Sequence, residues 1–224
     1  MARMTAAQGL VESLRVQGVD TIFGIISSHT MEIFDALYDH QDAIRFISTR
    51  HEQAAAMMAD GYARVTGRPG ICLTSTGPGA ANSMGGLGEA YDASSPVLTI
   101  TSTAEEQLYE RGLGTMHETK NQLDMLATVT QRSVHIRRPE EVPEQIGEAF
   151  ERFSSLRQRP VAVEIPSDVQ GQEAEMAIPG PVRRATRSAE PAAVEAAAEV
   201  LLAGGRVGVM AGTGVHRSGA GREL

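Results

Sequence analysis

The chain has 224 residues, enough for one α/β domain of ordinary size and a remainder. A formal net charge of −8, no Trp and only 4% aromatic residues argue against a nucleic-acid-binding surface, and no apolar run approaches the roughly 18 residues that a membrane-spanning helix needs. The single cysteine permits no intrachain disulfide, which suits a reducing, cytoplasmic compartment.

Short apolar runs rich in β-branched residues alternate with helical patterns along most of the chain. Residues 1–17 have helical charge spacing and no continuous apolar centre, so they predict a first helix rather than a signal peptide. Further helices are predicted at 28–40, 51–67, 80–94 and 139–153. Strands are predicted at 20–26, 43–49, 70–76, 96–103, 133–137 and 160–166. Strands that are apolar on both faces and separated by helices predict an α/β fold, a doubly wound parallel sheet with helices on both faces.

The pattern changes near residue 168. Residues 1–168 form the predicted α/β domain, and 169–188 are rich in Pro, Gly and charge, which is typical of an interdomain linker. Residues 189–224 predict a helix, a strand over 206–211 and a glycine turn, the incomplete start of a second α/β unit. One helix and one strand cannot bury a core, so we expect this segment either to continue in a longer chain or to dock on a partner.

Polar and glycine-rich stretches follow three of the predicted strands. Strand ends at Ile26, Thr49 and Thr76 would bring the sequences IISS, RHE and TGPG to one edge of the sheet, where parallel sheets bind ligands. Glu52 opens the helix of 51–67, and the helix dipole alone favours a carboxylate there by about 0.3–1 kcal/mol. The convergence of strand ends, rather than the charge, makes Glu52 a candidate for proton chemistry.

The turn of residues 77–79 allows two interpretations. It could cradle a ligand, or its glycines could serve only helix-to-sheet packing. No Lys or Arg lies between Leu73 and Ser95 to balance phosphate charge. If the turn binds a ligand, an uncharged ring edge therefore suits it better than a phosphate.

Residues 1–170 resemble the N-terminal, pyrimidine-binding domain of thiamine-diphosphate (ThDP) enzymes of the acetolactate synthase type. The resemblance rests on RHEQAAAMMADGYARVTGRPGICLTSTGPGAAN, with GVDTIFGI, SSPVLTIT and PVAVEIPSDVQ in the family's order and spacing. The stretch GVMAGTGVHRSGAGREL is similar to the family's entry into its central domain.

The resemblance implies a catalytic role for Glu52. In the family a glutamate at this position hydrogen-bonds the aminopyrimidine ring of the cofactor and shares its proton. The resemblance also implies pyrimidine contacts for five further residues, namely Ile26, Ser27, Thr76, Pro78 and Asn82. Because many relatives have Pro-Gly-Gly or Pro-Gly-Ser where this chain has Ile-Ser-Ser at 26–28, we expect this wall of the pocket to differ.

His117 is the candidate substrate residue, since it stands where carboligases of the family often have a glutamine. A histidine there can act as acid or base near neutral pH, and a solvent-facing loop histidine is the alternative. We expect His51 to cap the helix that follows it and Cys72 to be a small core residue. No spacing in this chain predicts a metal site.

The resemblance implies ThDP as the cofactor, with Mg²⁺ and the diphosphate bound by a C-terminal domain whose GDG run does not occur in this sequence. It leaves FAD open, because the family's FAD site lies mainly in the central domain. A homodimer or homotetramer is implied, in which the C-terminal diphosphate-binding domain of a neighbouring subunit completes the site. We therefore expect this chain alone to be inactive.

The predicted function is the N-terminal portion of an enzyme that acts on small 2-oxo acids by decarboxylation and carboligation, as acetolactate synthase does. Two alternatives within the family are a 2-oxo acid decarboxylase and a transferase of acyl units. An alternative of another class is a non-catalytic binding or assembly subunit of a split ThDP enzyme.

Overall fold

The computed structural model describes residues 1–155, 157–183 and 188–224 of the chain. The chain divides into two compact units, Met1–Arg184 and Ala185–Leu224. The strands described in the first unit are β1 (Ala2–Thr5), β2 (Thr21–Gly24), β3 (Arg45–Ser48), β4 (Gly70–Leu73), β5 (Val97–Thr103), β6 (Arg132–His135), β7 (Val161–Pro166) and β8 (Glu173–Met176). Its helices are α1 (Ala6–Val16), α2 (Met31–Tyr38), α3 (Glu52–Thr66), α4 (Pro78–Asp92), α5 (Gln122–Ala127), α6 (Glu141–Ser155) and α7 (Ser167–Gln170).

Six of these strands form one parallel sheet in the spatial order β3-β2-β4-β5-β7-β6. Successive residues of a strand point to opposite faces of the sheet. In β4, Ile71 and Leu73 pack with α1, α2 and α6 on one face, whereas Cys72 packs with α3, α4 and α5 on the other. Helices cover both faces, and the predicted doubly wound α/β fold is confirmed.

The start of the chain differs from the helix predicted over residues 1–17. Residues 2–5 form β1, which pairs antiparallel with β8, and α1 begins only at Ala6. Thr5 and Gln8 form a capping box there: Thr5 Oγ1 accepts the Gln8 N–H at 3.1 Å, and Gln8 Oε1 accepts the Thr5 N–H at 3.0 Å. The box satisfies two backbone N–H groups at the helix start, and the pairing with β8 keeps the preceding residues extended.

Strand β8 lies within residues 169–188, the segment predicted as a linker. Val169, Gln170 and Met176 of this segment are buried in the first unit, while residues 184–187 lie outside the described part of the chain. The side chains of β8 are mostly exposed, so no apolar pattern marks it. Pairing with β1 reveals it, and the division of the chain at residue 168 stays a prediction.

The second unit contains the helices α8 (Pro191–Ala203) and α9 (Thr213–Ser218) among its described residues. Pro191 occupies the first turn of α8, where its missing N–H costs nothing. The strand predicted over 206–211 does not form, because no other segment within residues 188–224 pairs with it. Of the helices that the structure describes in either unit, none is long and apolar enough to cross a membrane.

Candidate functional site

The loops after β2, β3 and β4 meet at the carboxyl end of the central sheet. Thr49, directly after β3, donates its backbone N–H to the carbonyl oxygen of Gly24, the last residue of β2, at 2.8 Å. Ser27 and Ser75 join the loops after β2 and β4, with their hydroxyl oxygens 2.7 Å apart. The structure therefore brings together the three stretches IISS, RHE and TGPG.

Glu52 is the first residue of α3, and its side chain is buried, with 8% exposure. His51 caps the helix, as predicted: its Nδ1 accepts the backbone N–H of Gln53 at 3.2 Å. The partial positive charge at the helix start favours a carboxylate at this position. Asn82, on α4, donates its side-chain Nδ2–H to Glu52 Oε2 at 3.0 Å, so one carboxylate oxygen is held in place.

The other carboxylate oxygen of Glu52, Oε1, faces Gly79 on α4. A Cβ atom at Gly79 would lie 3.1 Å from this oxygen and 2.9 Å from Ser75 Cβ, so glycine leaves the space beside the carboxylate open. Among the residues that the structure describes, none donates a hydrogen bond to Glu52 Oε1. This oxygen of a buried residue is thus available to accept a hydrogen bond from a ligand.

Gly77 forms the turn that leads into α4. Its φ of 54° and ψ of −104° are readily adopted only by glycine, and a Cβ atom there would collide with the carbonyl oxygen of His117. The Gly77 N–H is accepted by Gln122 Oε1 at 2.5 Å. Pro78 occupies the first turn of α4. Thr76, just before the turn, has 2% exposure, and its buried hydroxyl has no partner in the described part of the chain.

His117 lies beside this turn on an exposed loop, with a φ of 64°. Its ring centroid is 5.3 Å from that of His29. Burial and, secondarily, the nearby His117 lower the pKa of His29, which favours a neutral imidazole at pH 7. Glu118 holds the loop, because its carboxylate accepts three backbone N–H groups of residues 112–115. The two histidines therefore form a pair next to the Gly77 turn.

The structure brings most of the predicted site residues together at this edge, but it places Ile26 apart from them. Glu52 and Asn82 share a hydrogen bond, Thr76 and Pro78 flank the Gly77 turn, and Ser27 joins the loop after β4 through Ser75. Ile26 is 63% exposed and lines a groove on the α2 side, with Met31 and Phe34. The sequence did not single out Ser75 and Gln122 at this edge, and it indicated Gly79 only as part of the turn of residues 77–79.

The sequence carried a signal for two of these three residues. Ser75 and Gly79 lie inside the stretch TSTGPG, whose tight turn after a buried strand was the available signal. Gln122 carries none, because its contact with Gly77 joins residues 45 positions apart. Only the folded chain brings it to the site.

Cys72 does not belong to this site. It is fully buried in the core, as predicted, and burial raises the pKa of its thiol to about 12. Within residues 1–155, 157–183 and 188–224, no group of three or more His, Cys, Asp or Glu side chains is placed to hold a metal ion. The candidate chemistry of the edge therefore rests on Glu52 and the polar groups around it.

Residues 4–128 match the family model described as "Thiamine pyrophosphate enzyme, N-terminal TPP binding domain". The chain belongs to the thiamine pyrophosphate enzyme family. Thiamine pyrophosphate is another name for ThDP, so the predicted resemblance to the N-terminal domain of ThDP enzymes of the acetolactate synthase type is confirmed.

Curated relatives of this thiamine pyrophosphate enzyme domain include three that are similar over most of its length. A probable 2-ketoarginine decarboxylase of Pseudomonas aeruginosa is 42% identical, over 96% of this chain and 39% of that protein. A probable acetolactate synthase large subunit of Methanocaldococcus jannaschii is 36% identical, over 99% and 38%. A sulfoacetaldehyde acetyltransferase of Alcaligenes xylosoxydans xylosoxydans is 37% identical, over 95% and 34%. The chain spans about a third to two fifths of these relatives' length.

The residues of this edge fit the aminopyrimidine end of ThDP. A polar heterocycle needs buried partners, and the edge offers Glu52 Oε1 together with the unpartnered hydroxyl of Thr76. The space beside the Glu52 carboxylate is one that a Cβ atom at Gly79 would fill. No cationic side chain lies between Leu73 and Ser95, so the diphosphate end of the cofactor has no counter-charge on this stretch.

Proposed function

We propose that this chain supplies the pyrimidine-binding half of a ThDP site in an enzyme that acts on 2-oxo acids. The observation that carries the proposal is the Glu52 carboxylate, buried at the start of α3 with one oxygen held by Asn82 and the other facing Gly79 without a donor among the described residues. Such a carboxylate is held but not saturated, so it can accept a hydrogen bond from a ring nitrogen.

The site residues of this chain have different parts in the proposal. When bound, ThDP supplies a carbon nucleophile and an electron sink for breaking or forming a bond next to a carbonyl group. Glu52 Oε1 shares a proton with the aminopyrimidine, which is acid–base catalysis by a positioned carboxyl group. Asn82 fixes the orientation of that carboxylate. The residues proposed to contact the ring around it are Ile26, Ser27, Thr76 and Pro78.

The relatives support three candidate reaction classes. Acetolactate synthases are among them, which supports decarboxylation of a 2-oxo acid followed by carboligation. A 2-oxo acid decarboxylase is the second candidate, supported by 42% identity to a probable 2-ketoarginine decarboxylase and by the histidine pair His29–His117 beside the turn. Transfer of acyl units is supported by the sulfoacetaldehyde acetyltransferase. His117→Gln is expected to change the ratio of carboligation to decarboxylation products, and an unchanged ratio would remove His117 from substrate selection.

The proposal extends to the rest of the enzyme. The diphosphate and Mg²⁺ are assigned to a C-terminal domain of a neighbouring subunit in a cytoplasmic homodimer or homotetramer, and FAD binding is left to a central domain. This chain by itself is then inactive. A non-catalytic subunit of a split ThDP enzyme is the competing proposal, and turnover after joining the chain to such a C-terminal region contradicts it.

The test uses the complete reading frame that contains these residues. Glu52→Gln is expected to slow exchange of the cofactor's C2 proton, followed by NMR, by about 10²- to 10⁴-fold, because the proton-sharing group is lost. The matched control is Glu89→Gln, which changes a 58% exposed carboxylate on α4 and is expected to leave the exchange rate unchanged. An unchanged rate in Glu52→Gln would remove Glu52 from the chemistry.

A further inference from the structure

Glu164, a second buried carboxylate, lies in the middle of β7 and takes no part in the proposed chemistry. Its side chain is fully buried, and the strand VAVEIP that contains it is otherwise apolar. Taking a carboxylate out of water costs free energy unless hydrogen bonds or opposite charges replace the lost hydration. The partners of Glu164 therefore indicate why a carboxylate is placed here.

Three side chains contact the Glu164 carboxylate. Tyr109 donates its hydroxyl hydrogen to Oε1 at 2.7 Å, and His135 Nδ1 lies 2.8 Å from the same oxygen. Gln122 donates from Nε2 to Oε2 at 2.9 Å. The other ring nitrogen of His135 lies 2.6 Å from a carboxylate oxygen of Glu106. Both oxygens of Glu164 have donors, so this carboxylate is a fixed point in the core.

Glu164 and the backbone carbonyl of Ser102 together determine which way the Gln122 amide points. Gln122 has 3% exposure, and its Nε2 lies 2.9 Å from both Glu164 Oε2 and the carbonyl oxygen of Ser102. Because both of those atoms are acceptors, the NH₂ group must face them. The amide oxygen is then directed to the Gly77 N–H, 2.5 Å away.

This N–H belongs to the turn at the candidate cofactor site. Gly77 has a positive φ, and Pro78 and Gly79 directly after it begin α4 beside the Glu52 carboxylate. A turn in a sparsely populated backbone conformation persists only where its surroundings hold it. Without the Gln122 oxygen, a buried N–H would lose its partner, and the turn would have to shift to reach another.

We infer that Gln122 and Glu164 are positioning residues that hold the Gly77 turn in the geometry needed to bind the aminopyrimidine edge of the cofactor beside Glu52. Gln122 acts through the Gly77 N–H, and Glu164 acts through Gln122. The inference rests on the proposed function. Proton sharing with the cofactor is assigned to Glu52 and not to Gln122 or Glu164. Substitutions of Gln122 and Glu164 are therefore expected to weaken cofactor binding without changing proton transfer.

The test compares three variants of the complete enzyme with a control. Gln122→Met keeps the side-chain volume and removes all three side-chain hydrogen bonds of Gln122, to Gly77, Ser102 and Glu164. Gln122→Glu keeps an acceptor for Gly77 but sets a second carboxyl group against Glu164. In the double variant Gln122→Glu/Glu164→Gln, the new amide at position 164 again donates to the new carboxylate. Gln131→Met is the control, because the Gln131 side chain donates to the carbonyl oxygen of Arg159 and, among the described residues, forms no hydrogen bond with the Gly77 turn.

Two measurements report on the turn and on the cofactor separately. Hydrogen exchange of the Gly77 amide, measured without cofactor, is expected to accelerate at least about tenfold in Gln122→Met and Gln122→Glu and to slow again in the double variant. The ThDP concentration for half-maximal activity is expected to rise about tenfold in the same two variants, while KM for the 2-oxo acid stays within about twofold. Gln131→Met is expected to change neither.

Unchanged Gly77 exchange in Gln122→Met overturns the inference, and so does faster exchange with an unchanged ThDP requirement. If Gln122→Met does not fold, Gln122→Glu is compared with the double variant, since both lose the same donor to Ser102. The inference is then overturned if the double variant shows the same Gly77 amide exchange and the same ThDP requirement as Gln122→Glu. A wild-type enzyme that does not respond to ThDP contradicts the proposed function, and this failure is seen before any variant is compared.

Discussion

Glu52 and Glu164 are both buried carboxylates, but their hydrogen bonds set them apart. Glu164 has partners on both oxygens, in Tyr109, His135 and Gln122. Glu52 has a single side-chain partner among the described residues, and its free oxygen faces the space beside Gly79. A saturated carboxylate supports structure, whereas an unsaturated one can bind a ligand. At the scale of single residues, hydrogen-bond saturation therefore distinguishes the two roles.

The pH dependence of stability is predicted from His135, whose ring lies between Glu164 and Glu106 and stacks 3.9 Å from Tyr109, while Arg137 pairs with Glu106. Burial alone would lower the pKa of His135, but hydrogen bonds from its ring to both carboxylates, and their charges, raise it above the usual value. The folded state thus binds this proton more tightly than the unfolded state. Its stabilisation is complete below about pH 6.5 and is lost as the pH rises through the folded-state pKa.

This effect is measured as the free energy of unfolding in urea between pH 5 and 9, for the wild type and for His135→Gln. The wild type is expected to lose more stability than the variant as the pH rises, because only the wild type carries this proton. The difference between the two curves cancels the titration of His29, whose pKa is shifted in the opposite direction. Curves that fall in parallel would contradict the assignment to His135.

At the scale of elements, the packing of α3 against α4 positions Glu52 and Asn82 opposite each other. The contact uses small residues: Ala55, Ala56 and Ala59 of α3 are fully buried, and a Cβ atom at Gly86 of α4 would lie 2.6 Å from Ala56 Cβ. Small side chains let the two helix backbones approach closely. The Glu52–Asn82 hydrogen bond therefore depends on the distance between these helices.

Gly86→Ala is expected to lower the free energy of unfolding by about 1–3 kcal/mol, because its added methyl group meets the Ala56 methyl and, at 2.9 Å, the backbone nitrogen of Met57. Gly88→Ala in the same helix is the matched control. The atom nearest to a Cβ at Gly88 is Val129 Cγ1 at 3.6 Å, an ordinary contact, so this substitution is expected to stabilise the chain by about 0.5–1 kcal/mol. Urea unfolding measures both, and equal effects would contradict the close helix contact.

In the first unit as a whole, residues from both ends of its sequence pair with each other and add to the buried core. β1 and β8 form a separate two-stranded sheet, and Val169 and Met176 add buried apolar surface after the last strand of the main sheet. Gln170 donates from Nε2 to the carbonyl oxygens of His29 and Ile165. The folded unit thus extends beyond residue 168, where the predicted domain ends.

A polypeptide of residues 1–168 is therefore expected to be less stable than one of residues 1–183. Loss of the buried Val169 and Met176 side chains is expected to cost about 3–6 kcal/mol, at about 1.5–3 kcal/mol for each. The measurement is urea unfolding of both polypeptides, followed by circular dichroism. Equal free energies of unfolding would support a domain boundary at residue 168 instead.

Much of the fold could be predicted because its signals are local. Each main-sheet strand overlaps its predicted run: β5 and β7 end where predicted, whereas β2 and β4 end earlier, at Gly24 and Leu73 rather than at Ile26 and Thr76. β6 begins one residue before its predicted run, at Arg132. β1 and β8 were missed because their short, largely exposed sequences are stabilised by each other, across most of the chain. Within the site, the sequence singled out the stretch TSTGPG, whereas it held no signal for Gln122.

The sequence by itself determined the α/β class, the family and the candidate carboxylate Glu52, because alternating apolar runs and contiguous motifs are properties of neighbouring residues. Only the tertiary structure decided that Gln122 accepts the Gly77 N–H, that Gln122 donates to Glu164, and that Asn82 holds one oxygen of Glu52 while the other has no described donor. These contacts join residues 45, 42 and 30 positions apart. Hydrogen bonds depend on distance and direction in space, which the order of residues along the chain does not contain.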